Sequence, residues 1–371
     1  MKRLFILFGL CLLELVLYAA SSMRIGVLLP LKEKTERGTT FIEFYQGLLM
    51  AVEQAKEKGI NVDVYAADCG ASETQLQEVL KNPAWQEMDV IFGPADAVQV
   101  TSLSEYCRQH RIRMVLPFNT PCPQVYSNPW IYQVGVTQEL LYPAITTLVL
   151  NSLEDSNFII CHSGEADARG GSFVEHIKQV LSLHNMQTTT LAANADEFAF
   201  DRALNQFRRN VILLDSRSNT ALNQLLVNLE SYQQKYPQYK ISLLGYPEWL
   251  TYTKEHLQDF YLFDTYVYSP YFRNPLSGRV AKFEQNYQQN FGSAMRNTFP
   301  RAGMLGYDLG NYFLQGIATL GDDFDRQQNA LEQRPLQHGF RFQRVGEQGG
   351  FVNLYALLVH YTTNKTIQVL K

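Results

Sequence analysis

Three short apolar runs, each closing on a glycine or proline turn, do most to decide what this 371-residue chain folds into. They span Arg24–Pro30, Asp89–Pro94 and Arg111–Pro117. Runs of this length, separated by stretches with helical periodicity, read as strands buried on both faces of a parallel sheet. In an open parallel sheet, ligands sit outside the carboxyl ends of the strands. Those ends are the turns at Pro30, Gly93-Pro94 and Pro117-Phe118-Asn119-Thr120. The sequence therefore points to a binding cleft before any reactive group is considered.

The intervening segments fit that reading. After the first strand comes a polar loop over Lys32–Thr40; then Phe41, Phe44, Tyr45, Leu48, Leu49 and Val52 recur at helical spacing. Asn61–Tyr65 begins a second strand, Ser72 caps a helix running towards Lys81, and Val98–His110 is helical. A second alternation follows an extended segment at Trp130–Val136. It comprises helices over Glu139–Asn151, Ser172–His184 and Asn219–Lys235, with strands at Asn157–Cys161, Asn210–Asp215 and Tyr239–Gly245. Two helical stretches after Tyr268 precede a closing hairpin, Gly339–Gln343 and Val352–Tyr361, around a turn at Gly346–Gly350. The fold class expected is α/β: two doubly wound parallel-sheet lobes.

The first residues stand apart. Lys2 and Arg3 precede an apolar run from Leu4 to Leu17 and a small-residue stretch ending at Ser22, the pattern of a secretory signal over 1–22. The run is too short for a membrane span of about 20 residues. The expected location is therefore the periplasm. A net charge of −4 and a pI near 6.0 leave no electrostatic footprint for nucleic acid. Outside the signal lie Cys69, Cys107, Cys122 and Cys161. An even number in an exported chain permits disulfides, but their predicted positions favour free, partly buried thiols. No Cys-x-x-Cys supports a zinc site, and no metal or cofactor is expected. Cys161-His162 near Glu165 imitates a Cys–His pair, but neighbours on a strand point to opposite faces. No Gly-x-Ser-x-Gly, Walker loop or His-Glu-x-x-His is present, so the chain is read as a binding protein and not an enzyme.

Taken together, Ile25–Pro30, Phe44–Ala51, Asp89–Pro94, Val115–Pro117, Gly306-Tyr307-Asp308 and the glycine-rich C-terminal hairpin resemble the type I periplasmic binding proteins, the leucine/isoleucine/valine-binding branch. The likeness runs from Met23 to Lys371. The sequence is also similar to envelope proteins of Bacteroidetes in which a peptidoglycan-binding LysM module is linked to such a domain. The resemblance implies two lobes joined by three crossing strands, closing on a ligand by a hinge motion. On it, the first lobe is 23–136 plus 268–320, the second is 137–267 plus 337–371, and 321–336 forms the third crossing.

The resemblance also implies hydroxyls and backbone N–H groups after the third strand that hold a ligand carboxylate. Here Asp96 and Ala97 stand there, and the negative charge disfavours an anionic ligand. Asp96 either caps the following helix or meets a cationic or hydroxyl-rich ligand. Asn119 and Thr120 are first-lobe candidates. In the second lobe the candidates are Ser163, Glu165, Asp215, Tyr246 and Glu248 at strand ends, and Arg169 just before a helix. Arg169 replaces the family's stacking aromatic residue. Two functions remain: capture of a small polar solute, amino-acid or peptide-like, for an ABC-type permease; or, with a degraded ligand site, a regulatory interaction with a cell-wall protein.

Overall fold

The computed structural model describes residues 22–371; the signal segment expected over 1–22 lies almost wholly outside them. Two seven-stranded sheets form the frame. The first receives β1 (Met23–Leu29), β2 (Val62–Asp68), β3 (Val90–Phe92), β4 (Arg113–Leu116) and β5 (Ile131–Gln133). The second receives β6 (Asn157–His162), β7 (Thr188–Ala192), β8 (Arg209–Leu214), β9 (Lys240–Gly245) and β10 (Thr265–Ser269). The chain then returns to the first sheet with β11 (Phe342–Arg344) and β12 (Phe351–Asn353), and ends in the second with β13 (Leu357–Tyr361) and β14 (Ile367–Leu370). The orders are β11-β12-β5-β4-β3-β1-β2 and β14-β13-β10-β9-β8-β6-β7, the same winding for the five parallel strands of each sheet with a different two-stranded edge.

The apolar runs behave as two-faced strands. Ile25, Val27 and Leu29 of β1 turn to a core beneath the helices Glu36–Glu57 and Ala302–Leu320, while Leu28 turns to the opposite face with Ile91 and Met114. The second lobe has its own core, built on Phe158–Cys161, Val211–Leu214, Phe173 and Trp249. Val136 and Leu354, both on connecting segments, touch cores of both lobes. Close helix packing in the first lobe depends on glycine: a Cβ added at Gly47 would stand 1.8 Å from the Gly303 carbonyl oxygen.

Strand direction settles which edges face each other. β12 is parallel to β5, β10 is parallel to β9, and β13 is antiparallel to β10. Segment 354–356 therefore runs from the carboxyl edge of one parallel sheet to that of the other, and segments 134–137 and 270–272 leave the carboxyl ends of β5 and β10 for the opposite lobe. The rims bearing Asn119 and Asp215 meet at a hinge of three crossings.

The second and third crossings lie elsewhere than expected. Residues 321–336 stay with the first lobe, where Asp325 accepts from Arg113 at 2.8 Å and from the Tyr132 hydroxyl at 2.5 Å. Strand β10 belongs to the second sheet, so the second crossing follows Ser269. The strand expected over Val352–Tyr361 is broken at 354–356: its first part joins β5 and its second joins β10. The turn before it makes β11 and β12 a first-lobe hairpin. Among the elements that periodicity does not mark are edge strands β7 and β14 and helices Glu197–Ala203 and Thr253–Leu262. No helix among the described residues is long and apolar enough to cross a membrane. Cys69, Cys107, Cys122 and Cys161 are buried free thiols.

Candidate ligand-binding cleft

The strand orders place a topological switch between β1 and β3 in the first lobe and between β6 and β8 in the second. Polar side chains bridge both switches. In the first lobe, helix Glu36–Glu57 starts earlier than its apolar spacing suggests because Thr35 caps it, its hydroxyl accepting from Gly38 N at 3.2 Å. That extra turn carries Arg37, which donates to Asp96 at 2.6 Å and to Glu33 at 3.2 Å. Asp96 occupies the N-cap position of helix Ala97–His110, but its side chain makes no cap hydrogen bond. It is spent on Arg37 instead, and its second oxygen, Oδ2, is buried with no partner among the described residues.

Thr120 is buried, and its hydroxyl donates to the Ala95 carbonyl at 3.0 Å, so it ties two strand-end loops together. Asn119 is exposed and lies over the first crossing; a Cβ at Gly135 would come within 2.0 Å of its Oδ1.

The second-lobe rim is a connected polar group built on four consecutive residues after β8. Asp215 accepts from His162 Nδ1 at 2.7 Å and from the Ser163 amide and hydroxyl at 2.8 and 2.7 Å. Burial alone would raise the Asp215 pKa; the Ser163 N–H and His162 overcome it and hold the carboxyl below its ordinary value. Glu165 accepts from the hydroxyls of Ser216 and Ser218 at 2.7 and 2.6 Å. Ser218 also caps helix Asn219–Lys235, accepting from Ala221 N.

Arg217 is the centre of this rim, and the sequence reading did not single it out. Its guanidinium binds Asp167 at 2.9 Å and Glu248 at 2.6 Å. Asp167 also accepts from the Arg217 amide at 2.8 Å and caps helix Ala168–Leu183. Desolvation opposes the charge on each partner, yet the bonds between them win: the Asp167 pKa falls and that of Arg217 rises. Glu248 Oε2 is buried without a partner among the described residues. The available signal for Arg217 was its position, between a strand end and a serine cap.

Ser163, Glu165, Asp215 and Glu248 are thus brought together, whereas two candidates are not. Tyr246 is fully buried, and its hydroxyl donates to the Leu214 and Gly170 carbonyls, so it supports the loops and presents nothing to a ligand. The side chain of Arg169 is exposed, with only its amide bound, to Asp167. No hydrogen bond or ion pair among the described residues joins the Asp96 group to the Arg217 group. Arg37 is thus paired with Asp96 on one rim and Arg217 with Asp167 and Glu248 on the other, while Glu165 and Asp215 are held by hydroxyls, an amide and His162.

A search of curated proteins finds no match for this sequence. Solved structures do share its architecture. A protein assigned to branched-chain amino acid ABC transport in Rhodospirillum rubrum superposes with a TM-score of 0.62 at 12% identity, covering 94% of this chain and all of that one. An ABC transporter substrate-binding protein from Sphaerobacter thermophilus gives 0.51 at 14% identity, covering 94% and 96%. At such identities the likeness is one of fold. The sequence profile of the periplasmic binding protein family matches residues 22–341, and with two like-wound lobes hinged at their strand ends the chain belongs to that family, in its type I fold.

Proposed function

We propose that this chain is an exported solute-binding protein that captures a small polar molecule between its lobes by hinge closure and hands it to an ABC-type permease. The reading rests on one observation above others: the strand-end rim of each lobe carries a buried carboxylate oxygen with no partner among the described residues, Asp96 Oδ2 after β3 and Glu248 Oε2 after β9. Each belongs to a carboxylate whose other oxygen is held by an arginine. Such an oxygen accepts from N–H or O–H groups, so amine-bearing or hydroxyl-rich amino-acid or peptide-like solutes fit better than anions. Binding to both lobes would favour the closed form by its differential affinity for that form. Solute transport also matches the roles for which the two superposing proteins are named.

The second reading, a regulatory contact with a cell-wall protein, draws on the pairing of Arg217 with Asp167 and Glu248, which commits that arginine's charge and three of its five N–H donors within the lobe. A thermal-shift screen of amino acids, peptides, polyamines and muropeptides separates the two. A true ligand at 100 times its Kd stabilises the native state by about 2.7 kcal/mol, and Asp96→Asn or Glu248→Gln should abolish that gain. If no solute moves the Tm and a cell-wall protein binds with defined stoichiometry, the transport reading fails.

A further inference from the structure

A cavity of about 500 Å³ opens in the first lobe, and none of the cleft candidates lines it. Its floor is helix Ala302–Leu320 with Tyr307, Asn311 and Gln315; one wall is the end of helix Glu36–Glu57 with Gln54 and Lys58; its roof is segment 331–340. That volume lies within the range of small-molecule sites, about 300–1,000 Å³.

The charges around it do not cancel locally. Two carboxylates line the cavity, Asp308 and Glu332. Asp308 is committed to the backbone: it accepts from the amides of Leu336, Gln337 and His338 at 2.8, 2.9 and 2.8 Å. Glu332 pairs with Arg334 at 2.8 Å. Arg279 has only the Arg334 carbonyl as partner, at 2.7 Å, and Lys58 has no side-chain partner among the described residues. Lys58 and Arg279 thus face the cavity with no ion pair among the described residues, although Arg279 lies near enough to Asp308 to favour its charged form. The amides beside them are half used. Gln54 accepts from the Tyr307 hydroxyl at 3.0 Å, which leaves its NH₂ free to donate; Gln315 donates to Asn311 at 2.6 Å, which leaves its carbonyl free to accept.

We propose that this cavity is a second small-molecule site, for a compact carboxylate- or phosphate-bearing anion held by Arg279 and Lys58, with Gln54 and Gln315 bonding its polar groups. It is opposite in charge preference to the cleft and shares no residue with it. Its roof bears on the hinge: Phe272 N donates to the Gln337 carbonyl at 2.9 Å, and Tyr271 bridges His338 at the second crossing.

The test is calorimetric titration of the mature chain at low ionic strength with citrate, with inorganic phosphate and with glycerol as the uncharged control. Saturable binding of citrate, phosphate or both is expected, with none for glycerol; whichever anion binds names the class. Arg279→Ala and Lys58→Ala should each weaken binding at least tenfold, while Glu165→Gln, in the cleft, leaves it unchanged. Both cations are exposed, so the variants should keep the wild-type Tm. Absence of saturable heat for both anions, or unchanged affinity in the Arg279→Ala/Lys58→Ala double variant, overturns the proposal.

Discussion

Arg217 gives the sharpest stability test of the second-lobe rim. Arg217→Met keeps the apolar stem and removes the cation, leaving Asp167 and Glu248 as neighbouring carboxylates with no counter-charge. The side chains of Arg217, Asp167 and Glu248 are 21%, 13% and 31% exposed, between surface and core. Exposed ion pairs contribute up to about 1 kcal/mol, and breaking a fully buried pair costs about 3–5 kcal/mol. A loss of roughly 2 kcal/mol is therefore expected, or a fall of about 4–8 °C in Tm for a cooperative unit of lobe size. Arg217→Lys should recover less than half of it, because a single ammonium cannot hold two carboxylates in a planar fork. The pH dependence has a definite sign. The folded-state pKa of Asp167 lies below its ordinary 3.8, so its contribution is fully present above that value and is lost as pH falls through the folded pKa. The gap between wild type and Arg217→Met should be constant from pH 7 to 5 and narrow below about pH 4. Urea unfolding followed by far-UV circular dichroism across that range measures it. A Met variant within 1 °C of wild type, or a gap that persists undiminished at pH 3, would refute the reasoning.

Three further outcomes follow from the first lobe and the thiols. Burial pushes the Asp308 carboxyl up to about 7 despite its three amide donors. The native state therefore holds that proton more tightly than the unfolded chain, and stability should fall as pH rises from about 4 to 7; Asp308→Asn should remove that slope in denaturant titrations, and an unchanged slope sinks the assignment. Gly47→Ala places a methyl against the Gly303 carbonyl and should cost about 3 kcal/mol, whereas Gly171→Ala meets nothing within 4 Å in a helix and should stabilise by about 0.5–1 kcal/mol; equal Tm values for the two variants would contradict the helix packing. Burial raises the pKa of Cys69 and Cys161 to about 12 and of Cys122 to about 11, and pushes Cys107 up too. Ellman's reagent should therefore label none of the four in the folded chain and all four after denaturation; rapid labelling of the native protein disproves it.

What the sequence made legible follows where hydrophobic burial is two-sided. Strands β1, β3 and β4 are buried on both faces and stand out as apolar runs. Strand β7, Thr188–Ala192, has no buried residue, so its sequence carries no period to read. The hinge was misplaced for a related reason: β12 and β13 are both apolar and adjacent, and only their pairing partners reveal that the chain changes sheets between them. In the cleft, strand ends were readable because turns mark them, and Ser163, Glu165, Asp215 and Glu248 proved to be one group. Arg217 and Arg37 were not, because a cation's importance comes from carboxylates distant in sequence, Arg37 lying 59 residues from Asp96. Tyr246 reads as polar at a strand end, yet its ring packs against Phe173, Trp249 and Tyr268.

Hydrogen–deuterium exchange with and without a stabilising solute tests the two-lobe capture most directly. Slowed exchange should appear together in 30–37, 93–97 and 117–120 of the first lobe and in 163–169 and 215–218 of the second, with altered rates at 134–137, 270–272 and 354–356. Protection confined to one lobe, or absent from both strand-end rims while the solute is bound, would contradict a ligand held between them.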